Sequence, residues 1–235
     1  MTVHLDEPSV TSAQEVSLAD STEALLPGAT RTFSYREIGK RAFDLGLCLL
    51  LLPLIAPIVA VLAAMVATDG GNPFFLQRRV GRGGRTFRCV KIRSMVMDAE
   101  ARLQKLLRED PEAAAEWAEH QKLDNDPRIT PLGRFLRKSS LDELPQLWNV
   151  IRGEMSIVGP RPVVPDELLR YGKHAASYKR VRPGVTGLWQ ATGRNALSYD
   201  ERVQLDVRYE REVTLAMDLR LIFLTGFSVV NATGK

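Results

Sequence analysis

The sequence predicts an α+β protein, with an N-terminal membrane-embedded helix followed by a mainly helical cytosolic domain that carries a small β-hairpin. Three observations lead there. Leu45–Ala67 contains no charged residue over about the length a bilayer core requires. Residues 73–95 read as two extended runs around a glycine cluster, as a hairpin does. Much of the chain beyond that hairpin has the apolar spacing and end signals of short helices. The 45% hydrophobic and 26% charged composition alone would pass for a soluble globule, so the uneven placement of the apolar residues decides the class.

Residues 1–34, rich in Ser, Thr, Ala and acids and without a steady period, read as a disordered acidic tail. Asp6, Glu7, Glu15, Asp20 and Glu23 give the first 30 residues a charge of −5, which leaves +9 on the rest for a total of +4. A cleavable signal peptide does not fit, because the apolar run starts only after residue 44, is too long for an h-region and lacks a small-residue cleavage site. The membrane segment is placed at 35–69 and the cytosolic domain at 70–235. Arg36, Lys40 and Arg41 precede the apolar run and Arg78, Arg79, Arg82, Arg85 and Arg88 follow it, so the positive-inside rule names no outer end. A re-entrant hairpin satisfies both flanks, and Pro53 and Pro57 make a bend physically reasonable; a kinked spanning helix is the alternative.

Next, Phe74 to Val80 and Arg85 to Arg93 flank Gly81-Arg82-Gly83-Gly84, a hairpin turn and not a phosphate-binding P-loop, since no Gly-Lys-Ser/Thr follows. An Ala/Glu/Leu-rich stretch from Met97 to Leu123 is helical with a break at Asp110-Pro111. Thr130-Pro131 has the form of a helix start. Ser140-Leu141-Asp142-Glu143 has capping-box form and is expected to open a second helix that stops at Gly153. Leu219–Val230 is apolar and suits either the core or an interfacial helix. Cys48 and Cys89 suggest no disulfide framework, which places the domain in a reducing compartment, and His4, His120 and His174 have no metal-ligand spacing, which argues against a zinc enzyme.

Several residues could carry chemistry. Asp142 and Glu143 are adjacent carboxylates in what reads as a first helical turn, about 100° apart, so their roles should differ. Acids are common in first turns; the surrounding Arg134, Arg137, Lys138, Arg152 and Arg161 suit a diphosphate and a divalent ion. Arg161 stands between Pro160 and Pro162, which lowers the entropy lost when its guanidinium grips a phosphate. Arg182-Pro183-Gly184 through Trp189-Gln190, with Gly193-Arg194-Asn195, gathers glycines, donors and an aromatic; Trp189 could stack on a base or fill the core. Lys91 and Arg93 alternate on the second hairpin strand and should share a face.

Together these residues resemble the bacterial sugar transferase family, the monotopic polyprenyl-phosphate phosphoglycosyl transferases of exopolysaccharide initiation. The resemblance runs from Lys40-Arg41-Ala42-Phe43-Asp44 to about Leu224, and its most specific stretch is Ser140 to Pro162, which carries Asp142-Glu143 and Gly159-Pro160-Arg161-Pro162. It implies that Asp142 is the nucleophile and Glu143 its partner, the two holding Mg2+ against a diphosphate. Asp142 attacks the β-phosphate of a UDP-sugar and expels UMP, and undecaprenyl phosphate then takes the phosphosugar. Galactose or glucose is the expected sugar. Lys91 and Arg161 are expected to contact phosphate, and Arg182, Gln190 and Arg194 to border the nucleotide; Arg93 is carried with Lys91 as a binding candidate. The resemblance also implies a re-entrant helix broken at a Ser-Pro pair, where this chain has Ala56-Pro57, and a place on the cytoplasmic face of the bacterial inner membrane. The implied partners are the UDP-sugar, undecaprenyl phosphate and membrane lipid, with no nucleic acid; a homo-oligomer stays open. From another class, a membrane-tethered binding or regulatory protein using the basic face remains the alternative.

Overall fold

The computed structural model describes residues 35–120, 123–193 and 197–230, so the expectations for the acidic tail and for Arg194 fall outside the described residues. A short π-helical turn, Tyr35–Gly39, leads into α1 (Lys40–Ala67), then β1 (Phe74–Val80), β2 (Thr86–Ile92), α2 (Ala99–Glu109), α3 (Pro111–His120) and α4 (Pro131–Ser139). After these come α5 (Gln146–Ile151), β3 (Ser156–Val158), α6 (Pro165–Leu169), α7 (Ala175–Arg180), β4 (Gly184–Thr186), α8 (Leu188–Thr192), α9 (Tyr199–Glu212) and α10 (Leu215–Val230). The protein is mostly helical, as expected, with β1 and β2 as an antiparallel hairpin and β3 and β4 as a short parallel pair.

α1 is a continuous helix of 28 residues, about 42 Å long at 1.5 Å per residue, with Pro53 and Pro57 inside it. The interruption expected at Pro57 is not present in the helix. Asp44, Cys48, Leu62, Ala63 and Val66 are buried and Leu51, Ile55 and Val59 half-buried, a stripe at helical spacing that lies against the rest of the protein. Cys48 joins the main core with Phe87, Cys89, Leu147, Val150, Met155 and Tyr209, while Leu62 and Val66 join a second cluster with Ile92 and Leu136. Both ends of α1 therefore rest on one body. Its other face leaves Leu49, Leu50, Leu54, Val61 and Met65 about half to three-quarters exposed, an apolar surface that water disfavours and lipid accepts.

The N-terminal turn of α1 supplies the polar fasteners. Arg41 donates to the carbonyls of Val150 (2.6 Å) and Ile151 (2.9 Å) and so caps the end of α5, where the Val150 carbonyl also accepts from the Gly153 amide at 2.9 Å. Asp44 accepts from the Ile157 amide of β3 at 3.1 Å. Asp218 of α10, fully buried, accepts from Tyr35 (2.6 Å), Lys40 (2.7 Å) and Tyr209 (2.8 Å), which ties the entry turn, α1, α9 and α10 at one carboxylate. The remainder of α10 is amphipathic: Leu221 is buried, while Leu215, Leu219, Phe223 and Phe227 at four-residue spacing stay exposed. This divides the apolar stretch expected at 219–230 between core and surface.

The hairpin forms where the glycines allow it. Gly83 and Gly84 have φ of 71° and 77°, the left-handed region open to glycine, and the strands pair in full register from Phe74↔Ile92 to Val80↔Thr86. Thr130 caps α4 as expected, its hydroxyl accepting from the Gly133 amide at 2.9 Å. The capping-box reading of Ser140 is corrected. Ser140 has φ of 58° and ends α4, and Leu141–Glu143 is a 3-10 turn. Pro145 brings no amide hydrogen, so the chain bridges residues 140–148 with three-residue bonds, Glu143 to Ser140, Leu144 to Leu141 and Trp148 to Pro145, and α5 begins only at Gln146.

Replacing Asp218 with Ala strands Lys40, whose side chain is only 12% exposed, and removes the acceptor of two tyrosines. A loss of about 3–5 kcal/mol is expected, a fall of roughly 10 °C in the unfolding midpoint in detergent or nanodiscs. An unchanged midpoint would mean that this carboxylate does not hold α1 and α10 together.

Candidate active site

The site assembles at the turn between α4 and α5, over the inner face of the hairpin. Strand alternation puts Phe75, Gln77 and Arg79 of β1 on the same face as Phe87, Cys89 and Lys91 of β2. Asn149 fixes that strand against α5. Its side-chain oxygen accepts from the Val90 amide (3.0 Å) and its side-chain nitrogen donates to the Arg88 carbonyl (2.8 Å) and to Glu154 (2.6 Å). The amide thus acts as a one-residue strand, and Lys91, next to Val90, is delivered to the dyad. The Lys91 Nζ donates to Glu143 at 2.6 Å.

Asp142 is 8% exposed. Burial pushes its pKa up to about 6; Lys91 draws it back, Glu143 beside it adds to the rise, and Arg137 again favours the charged form. Arg137 is held by a 2.8 Å hydrogen bond from its Nε to the Ser94 hydroxyl. Glu143 lines a cleft with Arg79, Lys91, Gln146, Arg161 and Gln190, so three cations face one carboxylate and the cavity favours an anion.

Close backbone crossings place Arg161. A Cβ on Gly159 would lie 2.4 Å from the Arg182 carbonyl, and one on Gly187 would lie 2.3 Å from the Gly159 carbonyl. Only glycines let these segments approach so closely, and the Gly159 amide bonds the Thr186 carbonyl at 2.9 Å. Arg161, just beyond the crossing, has no ion-pair or hydrogen-bond partner among the described residues. Among those residues no three His, Cys, Asp or Glu side chains form a metal cluster. Asp142 and Glu143 are adjacent in the Leu141–Glu143 turn, Glu143 lining the cleft and Asp142 buried beside it.

Of the binding residues read from the sequence, Lys91, Arg161 and Gln190 meet in this cleft and two do not. Arg93 lies past the end of β2, donating to both oxygens of Asp69 and to the carbonyls of Val66, Asn72 and Met95, so it fastens the end of α1 and has no donor left for a substrate. The shared face expected of Lys91 and Arg93 stops with the strand at Ile92. Arg182 donates to the Gly153 carbonyl at 2.9 Å and is not among the cleft residues. Trp189 is 7% exposed with Arg202 over its ring, so it fills the interior.

Three cleft or clamp residues were not singled out in the sequence. Arg79 was signalled by strand parity with Lys91. Gln146 and Asn149 carry no local signal, since both types are ordinary in short helices.

The bacterial sugar transferase family pattern matches residues 35–232. A UDP-galactose-lipid carrier transferase of Erwinia amylovora is 52% identical over 186 residues, 79% of this chain and 39% of that protein. An undecaprenyl-phosphate galactose phosphotransferase of Salmonella typhimurium is 48% identical over 195 residues, 83% of this chain and 41% of its own length. The exopolysaccharide production protein ExoY of Sinorhizobium fredii is 48% identical over 189 residues, 80% of this chain and 84% of that protein. The chain thus spans about two fifths of the first two relatives.

The geometry makes a titration testable in metal-free protein. Infrared difference spectra between the protein and Asp142→Asn should show a carboxyl with a midpoint near pH 6, ionising above it. Because Lys91 favours the charged form, Lys91→Met should move that midpoint upward; an ordinary midpoint near 4, unmoved by the substitution, would contradict the burial of Asp142.

Proposed function

The chain belongs to the bacterial sugar transferase family, and on that premise we propose that it transfers a hexose-1-phosphate from a UDP-sugar to undecaprenyl phosphate, the initiating step of exopolysaccharide synthesis. The observation that carries this reading is a buried carboxylate, Asp142, beside Glu143–Lys91 and a cleft lined by Arg79 and Arg161, in a body seated on an apolar helix. The names of the Erwinia and Salmonella relatives support galactose as the sugar and UDP-galactose as the donor.

In the proposed reaction an Asp142 oxygen forms a bond to the β-phosphorus of the donor while the bond from that phosphorus to the bridging oxygen breaks and UMP leaves. A phosphate oxygen of undecaprenyl phosphate then attacks the same phosphorus and the Asp142 carboxylate departs, which restores the enzyme. Lys91 and Arg161 offset the negative charge that opposes approach of a carboxylate to a diphosphate, and Gln190 borders the donor. Asp142 and Glu143 are the residues that would hold Mg2+, which when bound neutralises charge developing on the leaving UMP. Burial makes Asp142 a weakly solvated nucleophile, and the cations keep enough of it ionised near neutral pH.

Both ends of α1 rest on the catalytic body, which supports a monotopic protein with both flanks at the cytoplasmic face of the inner membrane. An active site fixed to such a helix meets the polyprenyl headgroup without extracting an apolar chain from the bilayer.

Purified protein in nanodiscs with Mg2+ and undecaprenyl phosphate should release UMP from one member of a UDP-hexose panel. Asp142→Asn should lower that rate by about three orders of magnitude or more while membrane association is kept; substantial residual turnover would refute its nucleophilic role. For topology, Glu37→Cys and Asn72→Cys should both escape a membrane-impermeant thiol reagent in intact cells and both react after permeabilisation. Labelling of one site alone in intact cells would establish a spanning helix.

A further inference from the structure

We propose that the side-chain amide of Gln146, together with the Nε–H of Arg79 in the same cleft, forms a hydrogen-bonding subsite for an oxygen of the bound nucleotide sugar. The inference rests on the proposed transferase activity and assigns a substrate contact to two residues outside the dyad.

Gln146 is 1% exposed and lines the cleft, yet its amide has no partner among the described residues. Asn149, three residues on and equally buried, uses its amide fully against Val90, Arg88 and Glu154. An amide with neither its donor nor its acceptor engaged by the protein is left to be completed by what enters the cleft, and folded proteins leave few such groups unpaired.

Arg79 gives the second, independent sign. It is 8% exposed, its two terminal nitrogens are committed to the Pro162 carbonyl (2.8 Å) and to Gln77 (2.5 Å), and its buried Nε has no partner. The carboxylate lining this cleft, Glu143, is engaged by Lys91. The unengaged donors of Gln146 and Arg79 thus share with Arg161 a cleft whose one carboxylate is paired with Lys91, and an occupant that completes them brings oxygen acceptors. A nucleotide sugar offers these on its phosphates and on its hexose hydroxyls.

Methionine has nearly the length and flexibility of glutamine without its hydrogen-bonding groups, so Gln146→Met is the informative variant. Because it replaces an unpaired buried amide by an apolar chain, its unfolding midpoint should equal or exceed that of the wild type. Its kcat/KM for the UDP-hexose that the wild type uses should fall tenfold or more. Calorimetric binding of UDP and of the UDP-hexose then separates the two sources. Equal weakening of both assigns the oxygen to phosphate, and weakening of the UDP-hexose alone assigns it to the sugar.

Wild-type kinetics with wild-type binding of both ligands would overturn the subsite. So would a clearly lowered midpoint, which would reveal a structural partner for the amide. If the wild type itself released no UMP, the transferase reading would fail by that result, and Gln146 would still be judged by whether the variant binds UDP as the wild type does.

Discussion

The rest of the site depends on the pairing of one side-chain amide with one strand. Asn149 offers an acceptor and a donor to the two positions of β2 on either side of Cys89, as a neighbouring strand would, and so satisfies backbone groups at Val90 and Arg88 from within a helix. The consequence is register. A strand displaced by one residue presents its opposite face, and Lys91 would then point away from Glu143. Because α5 starts three residues after Glu143, the same short helix that holds the strand also ends the turn carrying the dyad, and the cation and the carboxylates are referred to one support.

That support is itself anchored in the apolar helix α1. Arg41 covers the last carbonyls of α5, Asp44 holds the β3 amide, and the Lys40–Asp218 pair draws α10 to the same turn. Asp44 and Asp218 are buried and Lys40 and Arg41 half-buried, and they sit at the end of a helix whose outward face is apolar for most of its length. Such a joint suits groups that are to stay at a fixed height above a lipid surface, since any tilt of α1 against α5 would move Asn149 and Lys91 together.

Much of this was legible in the sequence. The hairpin declared itself through alternation and its glycines, α4 through Thr130-Pro131, and the dyad through the density of cations around it. The failures are equally physical. Ser140 and Ser198 both precede a glutamate by three residues, yet only Ser198 builds a capping box, with Glu201 closing on its amide at 2.7 Å. Pro145 interrupts the first segment and nothing interrupts the second, so an identical local pattern ends one helix and begins another. Arg93 and Arg182 had the right charge near the right motif, but Asp69 and three carbonyls around the end of α1 take the donors of Arg93, and the Gly153 carbonyl holds Arg182 by its Nε outside the cleft. Such competition is a property of the folded chain, and a linear motif does not contain it.

The buried position of Asp142 sets two demands against each other. Desolvation strengthens a carboxylate as a nucleophile and at the same time raises its affinity for a proton, and a pKa near 6 lies where both can be met at neutral pH. The balance belongs to its neighbours. Lys91 and Arg137 lower the value and Glu143 raises it, so displacement of Lys91 toward an incoming phosphate would weaken one of the charges that keep Asp142 ionised. A donor that brings its own counter-cation restores what it removes, which gives a physical reason for a diphosphate and a divalent ion to enter such a site together.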